Sequence, residues 1–258
     1  MQRKLILVSN DDGFQAKGLH ELLRVLAPFG EVVAVAPDRP QSSTSHALTM
    51  RDPMYVTLKE QCPEYTLYAC SGHPADCIKL AMHEMVKRKP DLLVAGINHG
   101  ENASCSALYS GTVAVAMEGC MYHVPAIAFS LLNPKPDADF SGCLPVVRQL
   151  VGKALSYGLP DGVCLNVNVP NLPSEQIRGI RFGRLARGYW HEIFHRGTDA
   201  EGRACYWLDG RYVNEEPDAE DTDQWALSNG FVSVVPTHVD LTAVPALELL
   251  RSAWGRQH

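Results

Sequence analysis

The chain has 258 residues, 46% of them apolar and 20% charged, with 23 basic and 29 acidic side chains and a formal net charge of −6. That composition supplies enough apolar surface for a packed core and argues against intrinsic disorder. The acidic balance excludes a partner held by bulk phosphate charge, such as duplex nucleic acid, so any phosphate bound here is held locally.

LILVS (5–9) opens the chain as a strand covered on both faces. It is too short for a secretory core and is followed by acid, and no stretch approaches the roughly 20 apolar residues of a membrane span. Leu19, Leu22, Leu23 and Leu26 form one helical face, Gly30 closes that helix, and VVAVAP (32–37) is a second strand. MYVTL (54–58) and YTLYAC (65–70) read as short strands, and a helix runs from Pro74 to about Lys87. LLVAG (92–96) is a strand, VAVAMEGC (113–120) a helix, AIAFSL (126–131) a strand, residues 147–155 a helix and VCLNVNVP (163–170) a strand. This alternation predicts an α/β fold, a mostly parallel sheet with helices on both faces. Beyond 171 the pattern changes. Residues 177–196 and 203–213 read as the strands of a long aromatic hairpin turned by GTDAEG, followed by the strand FVSVVP (231–236) and an amphipathic helix over 243–254. The expected division is a catalytic core over 1–170 and, within the same domain, a C-terminal β-hairpin arm with a closing strand and helix over 171–258, the arm serving oligomerisation. The eight cysteines include no CxxC pair, which points to reduced thiols in a cytoplasmic protein without a membrane partner.

In an open parallel sheet, ligands gather at the C-terminal strand ends. The loops there are Asn10-Asp11-Asp12-Gly13, APDRPQSSTS (36–45) and GINHGEN (96–102), with YSGT (109–112) opening a helix. Adjacent carboxylates repel unless a cation or proton lies between them. Asp11, Asp12, Ser42 and Asn98 offer the all-oxygen donor set that Mg²⁺ or Mn²⁺ prefers; taken alone, NDDG is also an ordinary Asx-rich turn. Ser110, Gly111 and Thr112 suit either a helix N-cap or a phosphate held by free N–H groups and the helix dipole, with the Asn102 amide nearby. The loops hold few Lys or Arg, so a metal rather than arginine would neutralise a phosphate. The only Cys-x5-Arg spacing, Cys205 to Arg211, has bulky residues where a phosphate cradle needs small ones, and no P-loop is present. Metal-activated water attacking a phosphomonoester, with Asp11 and Asp12 as the catalytic carboxylates, fits best. His238, beside Asp240, is the first acid–base candidate.

Taken in order, LILVSNDDGFQAKGL, APDRPQSSTSHALT, SGHPADC, GINHGEN, YSGTVAVAMEG and VSVVPTHVDLT resemble the blocks of the SurE survival-protein family over residues 5 to about 242. The resemblance implies a Rossmann-like core and a homodimer or homotetramer built with an exchanged C-terminal arm. It implies one divalent metal ion (Mg²⁺ or Mn²⁺) per subunit on Asp11, Asp12, Ser42 and Asn98, and a phosphate cradle of Asn102, Ser110, Gly111 and Thr112. The implied activity is a 5′-nucleotidase acting on nucleoside monophosphates, with 3′-nucleotidase and exopolyphosphatase activity beside it. A broad acid phosphatase on the same site and a non-catalytic nucleotide-binding regulatory module are the alternatives. The chain departs from the family pattern at Pro40, Gln41, Ser43, His46 and His73, and at Val235 and Thr237; Ser43 stands where glycine is usual in a turn that favours positive φ.

Overall fold

The computed structural model describes residues 3–255. Eleven strands and six α-helices form the chain. They are β1 (Leu5–Ser9), α1 (Lys17–Leu26), β2 (Glu31–Pro37), β3 (Val56–Gln61), β4 (Tyr65–Cys70), α2 (Pro74–Leu80), β5 (Leu92–His99), α3 (Gly111–Met121), β6 (Ala126–Leu131), α4 (Leu144–Tyr157), β7 (Val163–Val169), β8 (Ile180–Phe182), β9 (Gly188–Thr198), β10 (Ala204–Asn214), α5 (Asp223–Ser228), β11 (Val232–His238) and α6 (Val244–Trp254).

Nine strands make one sheet in the order β3-β4-β2-β1-β5-β6-β7-β11-β8. The central six, β4 through β7, are parallel. Their continuous apolar runs follow from burial on both faces. Along β1, Ile6 and Val8 face a core layer shared with Leu19, Leu22 and Leu23 of α1 and Val147 and Val151 of α4. Leu7 faces the opposite layer, with Cys77 and Ile78 of α2 and Val113 and Ala116 of α3. The helix period of α1 thus turns all four of its leucines inward, while the strand period of β1 divides its side chains between two layers.

Chain order reverses at β1, with β2 on one side and β5 on the other. Such a switch point leaves a crevice at the carboxyl ends of the strands. Asp11 and Asp12 follow β1 directly, Ser42 follows β2, and Asn98 ends β5.

Several boundaries differ from the sequence-based expectation. The second helix ends its α-form at Leu80 and continues as a wide π-turn, Ala81–Met85, and β3 lies two residues later than expected. Residues 177–196 are not one arm strand. Ile180–Phe182 joins the main sheet beside β11, and the arm proper is β9 with β10. The break has a steric cause: a side chain at Gly183 would lie 2.6 Å from the Asp221 carbonyl, where the chain crosses under residues 221–222. A 3-10 turn, Ser104–Tyr109, and α5 had no counterpart in the expectation. They are joined by the buried Asp223, whose carboxylate accepts from Ser104 N at 2.7 Å and Ala186 N at 2.9 Å, fixing the root of the arm beside the loop after β5. The C-terminal helix α6 forms as expected but buries none of its residues.

Candidate active site

The two carboxylates are fixed by a convergence of backbone bonds. Asn10 Nδ2 donates to Gly13 O at 3.0 Å and folds the turn after β1. Gln41 N donates to Asp11 O at 2.7 Å, tying in the loop after β2. His99 N donates to Asp12 Oδ2 at 3.1 Å from the end of β5. The Thr112 hydroxyl donates to Asp11 Oδ1 from the first turn of α3. Two glycines permit this closeness. At Gly96 (φ +112°) a side chain would meet the Phe129 carbonyl at 2.3 Å, and the β5–β6 register shifts across this point before Asn98 pairs with Ser130; a bulge of this kind re-aims the residues after it. At Gly111 a Cβ would stand 2.7 Å from Asp11 Cβ.

Burial, and then the charge of Asp12, push the Asp11 carboxyl up to about 6 against the pull of the Thr112 hydroxyl. Burial likewise pushes Asp12 up to about 6 against the His99 N–H. Among the described residues no Lys or Arg pairs with either carboxylate, and the nearest basic atom in an ion pair, His99 Nδ1, is 3.6 Å from Asp12. Burial pushes His99 itself down, toward its neutral form. Two carboxylates so placed need a proton or a cation. The neighbouring oxygens suit a hard cation. Asn98 Nδ2 is engaged by Gly100 O at 2.9 Å, and its oxygen, like the exposed Ser42 hydroxyl, has no protein hydrogen bond among the described residues. No cluster of three or more His, Cys, Asp or Glu fit to hold a metal occurs among the described residues. The donor set is therefore completed by neutral oxygens, the pattern of Mg²⁺ and Mn²⁺ rather than zinc.

Asp11, Ser42 and Asn98 line one cavity of about 530 Å³ together with Asn102 and Ser110. Asn102 is held from three sides: its N–H donates to Asn168 Oδ1 and its side-chain amide to Ser130 Oγ, both at 2.8 Å, and its carbonyl accepts from Asn166 Nδ2. One amide hydrogen is left to meet a ligand. Ser110 Oγ accepts from Val113 N at 3.0 Å as the N-cap of α3 and keeps its own proton free to donate. Gly111 begins that helix, so its N–H is among those without an intrahelical acceptor. Thr112 is fully buried with its hydroxyl committed to Asp11; it orients the carboxylate and does not reach the cavity.

The loop after β2 shows what the family departures do. Ser43 adopts φ +60°, a conformation that favours glycine. Ser43→Gly is expected to stabilise the protein by about 1 kcal/mol, read as a melting temperature higher by roughly 2–4 °C; an unchanged or lower value would show that the turn carries no strain. His46 Nε2 pairs with Glu118 at 2.7 Å, and Lys79 pairs with the same carboxylate at 2.9 Å. Burial alone would raise Glu118, but these two partners hold it below the usual glutamate range. His46 thereby clamps the Ser42-bearing loop onto α3. His73 caps α2, where the Asp76 carboxylate accepts from His73 N and Thr49 N, both at 2.9 Å.

His238 is not brought to this site. β11 runs antiparallel to β7, and His238 pairs with Val163, the first residue of β7. The carboxyl end of β7 lies six residues on, roughly 20 Å away at 3.3 Å per residue. The histidine that does line the cavity is His99. The Asn166–Asn168 support and the arm residues Trp190 and Glu192 in the outer wall were also unassigned. The asparagines carried a signal, two amides inside the otherwise apolar LNVNV.

The family model described as survival protein SurE matches residues 6–192. The chain is 44% identical over 252 residues to the 5′-nucleotidase SurE of Phocaeicola vulgatus, with 97% of each covered. It is 46% identical over 257 residues to the 5′-nucleotidase SurE of Christiangramia forsetii, with 98% of each covered. Its fold matches the crystal structure of the SurE protein from Aquifex aeolicus with a TM-score of 0.82 at 36% identity, covering 96% of this chain and 98% of that one.

Proposed function

Because this chain belongs to the survival protein SurE family, we propose that it is a metal-dependent 5′-nucleotidase that hydrolyses nucleoside monophosphates at the cavity built around Asp11. The observation that carries the reading is the buried Asp11–Asp12 pair with no basic side chain to neutralise it, set among oxygen donors at the switch point of the sheet.

Asp11, Asp12, Ser42 and Asn98 would hold one divalent ion, Mg²⁺ or Mn²⁺, which supplies charge neutralisation at the phosphoryl group and a water acidic enough to attack at neutral pH. The chain's own groups do the positioning. Thr112 and the His99 N–H orient the two carboxylates. The Gly111 N–H, the Ser110 hydroxyl and the free Asn102 amide hydrogen face the phosphate oxygens, and the N-terminal dipole of the eleven-residue α3 adds a favourable field. These donors are held by the helix and by the Asn166–Asn168 pair, so little reorganisation accompanies the reaction. The same floor serves a 3′-monophosphate.

The test is phosphate release from AMP before and after treatment with EDTA. The expected result is loss of turnover on chelation and recovery with Mn²⁺ or Mg²⁺; full turnover by metal-free protein would overturn the reading. Tight AMP binding without phosphate release under any divalent ion would instead identify a non-catalytic binding module. Protons compete with the metal for both carboxylates. With each raised to about 6, Mn²⁺ affinity is expected to be flat above pH 7 and to fall by about tenfold or more per pH unit below 6. A titration calorimetry series over pH 5–8 reads this directly, and an affinity independent of pH would place the metal elsewhere.

The assembly is proposed as a homodimer or homotetramer. Support comes from α6, whose apolar residues Leu247, Leu250 and Trp254 meet nothing in their own chain that buries them, and from the exposed aromatic side chains of the arm. Eight free thiols, five of them buried, support a cytoplasmic placement. No helix among the described residues is long and apolar enough to cross a membrane.

A further inference from the structure

The cavity has an outer half, and its wall is the arm. Trp190 and Glu192 come from β9, Leu208 and Gly210 from β10. In the β9–β10 ladder Glu192 is opposite Gly210 and Phe194 opposite Leu208. Directly opposed residues and residues two apart share a face of a ribbon, so Trp190, Glu192, Leu208 and Gly210 present one surface toward the cavity. Gly210 sets no side chain across from the Glu192 carboxylate. Glu101, on the loop after β5, lines the same space. Asp209 also borders it but lies on the other face of the ribbon, where its carboxylate meets His195 at 3.5 Å.

Among the described residues no Lys or Arg lines this cavity. Lys17, the nearest basic residue in the first loop, is committed elsewhere, its Nζ donating to Ala138 O at 2.7 Å and Asp137 O at 3.2 Å. The charge is therefore divided. The floor, with a cation bound, can accept one phosphate. The outer half is apolar and acidic, with carboxylates that accept hydrogen bonds and repel anions.

We propose that Glu192, assisted by Glu101, is a specificity-determining residue that restricts the enzyme to a single phosphate carried on a neutral leaving group. The inference rests on the nucleotidase reading above and narrows its substrate class. A volume of about 530 Å³ suits one nucleoside monophosphate. With AMP, the phosphate lies at the floor while the neutral nucleoside meets Trp190 and Leu208, and its hydroxyl and amino groups donate to the carboxylates. With ADP or tripolyphosphate, at least one further anion occupies the outer half beside Glu192, with no cationic side chain to offset it. One unit charge at such a separation, in a partly solvated cleft, changes relative affinity by about three- to tenfold. The chain is thereby assigned little activity on polyphosphate, although its floor could bind a terminal phosphate.

The experiment measures kcat/KM for AMP, ADP and tripolyphosphate with Mn²⁺, in the wild type, Glu192→Gln, Glu192→Lys and Glu201→Gln, the last an acid at the hairpin turn remote from the cavity. The expected wild-type preference for AMP over tripolyphosphate is about tenfold or more. Glu192→Gln narrows it three- to tenfold, Glu192→Lys narrows it further, and Glu201→Gln leaves the ratio in place. Raising the salt to 0.5 M reduces the differences between variants, because charges in an open cleft are screened. The inhibition constant of a methylene-bridged ADP analogue against AMP falls in the same order, wild type to Gln to Lys. A wild type that takes tripolyphosphate as readily as AMP, or a ratio unmoved by either Glu192 substitution, overturns the inference while leaving the nucleotidase reading intact. Failure of the wild type to hydrolyse AMP with any divalent ion overturns both.

Discussion

Asp11→Asn is expected to lower phosphate release from AMP by about a thousandfold or more, the scale of losing a group that holds a catalytic cation, and at the same time to stabilise the metal-free protein. The substitution keeps an oxygen to accept the Thr112 hydroxyl, so the loop has no new unsatisfied donor. Stability rises because the wild-type carboxylate is ionised where burial and Asp12 oppose it. The folded value of about 6 lies above the ordinary 3.8, so the protonated side chain favours the fold below pH 4 and that contribution is lost as pH rises through 6. Asparagine carries no such penalty. Metal-free Asp11→Asn should therefore melt higher than metal-free wild type at pH 7.5, by a few degrees for roughly 1–3 kcal/mol, and the gain should vanish at pH 4. Bound Mn²⁺ should reverse the order by stabilising only the wild type. Equal melting temperatures for the two metal-free proteins at pH 7.5 would show that the pair is not under electrostatic tension. This is a trade of stability for activity located on a single side chain.

Gly111→Ala is the second large effect. The added methyl would stand 2.7 Å from Asp11 Cβ, 3.0 Å from Asp11 Oδ2 and 3.1 Å from Pro74 Cγ. None of these is the far end of a flexible chain: Asp11 is tied through its backbone to Gln41, and Pro74 begins α2. The methyl must displace the carboxylate that anchors the site. A misplacement of an ångström at a reacting group costs about a hundredfold, so kcat/KM for AMP is expected to fall about 10²- to 10³-fold, with a stability loss of about 1–3 kcal/mol from overpacking. Weakened Mn²⁺ binding should accompany the kinetic loss, since the displaced oxygen is a ligand. Wild-type kinetics in a folded Gly111→Ala protein would mean that Asp11 can retreat without consequence, which the contacts at this position exclude.

Much of the architecture was legible in the sequence because doubly covered strands leave a strong trace. LILVS, VVAVAP and AIAFSL are continuous apolar runs of strand length, and the helices between them show a clear apolar face. Position in the chain then led to the floor of the cavity, since loops that directly follow parallel strands converge by construction: Asp11, Ser42, Asn98, Asn102 and Ser110 share one cavity. What was not legible depends on direction and on distance. FVSVVPTH reads as a strand either way along the sheet, and only its antiparallel pairing with β7 carries His238 to the far edge. Residues 177–196 read as one strand because the crossing of Gly183 under Asp221 is a tertiary contact between segments 38 residues apart. The His46–Glu118 pair spans 72 residues and the Asn102–Asn168 pair 66. Neither a period nor a local motif encodes them. Thr112 was misjudged for a related reason: a hydroxyl in the first turn of a helix suits a phosphate as well as a carboxylate, and the close packing of Gly111 on Asp11 decides for the carboxylate.

The central claim is that one divalent cation is shared by Asp11, Asp12, Ser42 and Asn98. Its most direct measurement is titration of chelated protein with Mn²⁺ at pH 7.5, following free Mn²⁺ by electron paramagnetic resonance, for the wild type and for Asp12→Asn. The account predicts one tight site per chain in the wild type and none in Asp12→Asn. An unchanged Mn²⁺ site in the variant, or no site in a wild-type protein that still hydrolyses AMP, would contradict it.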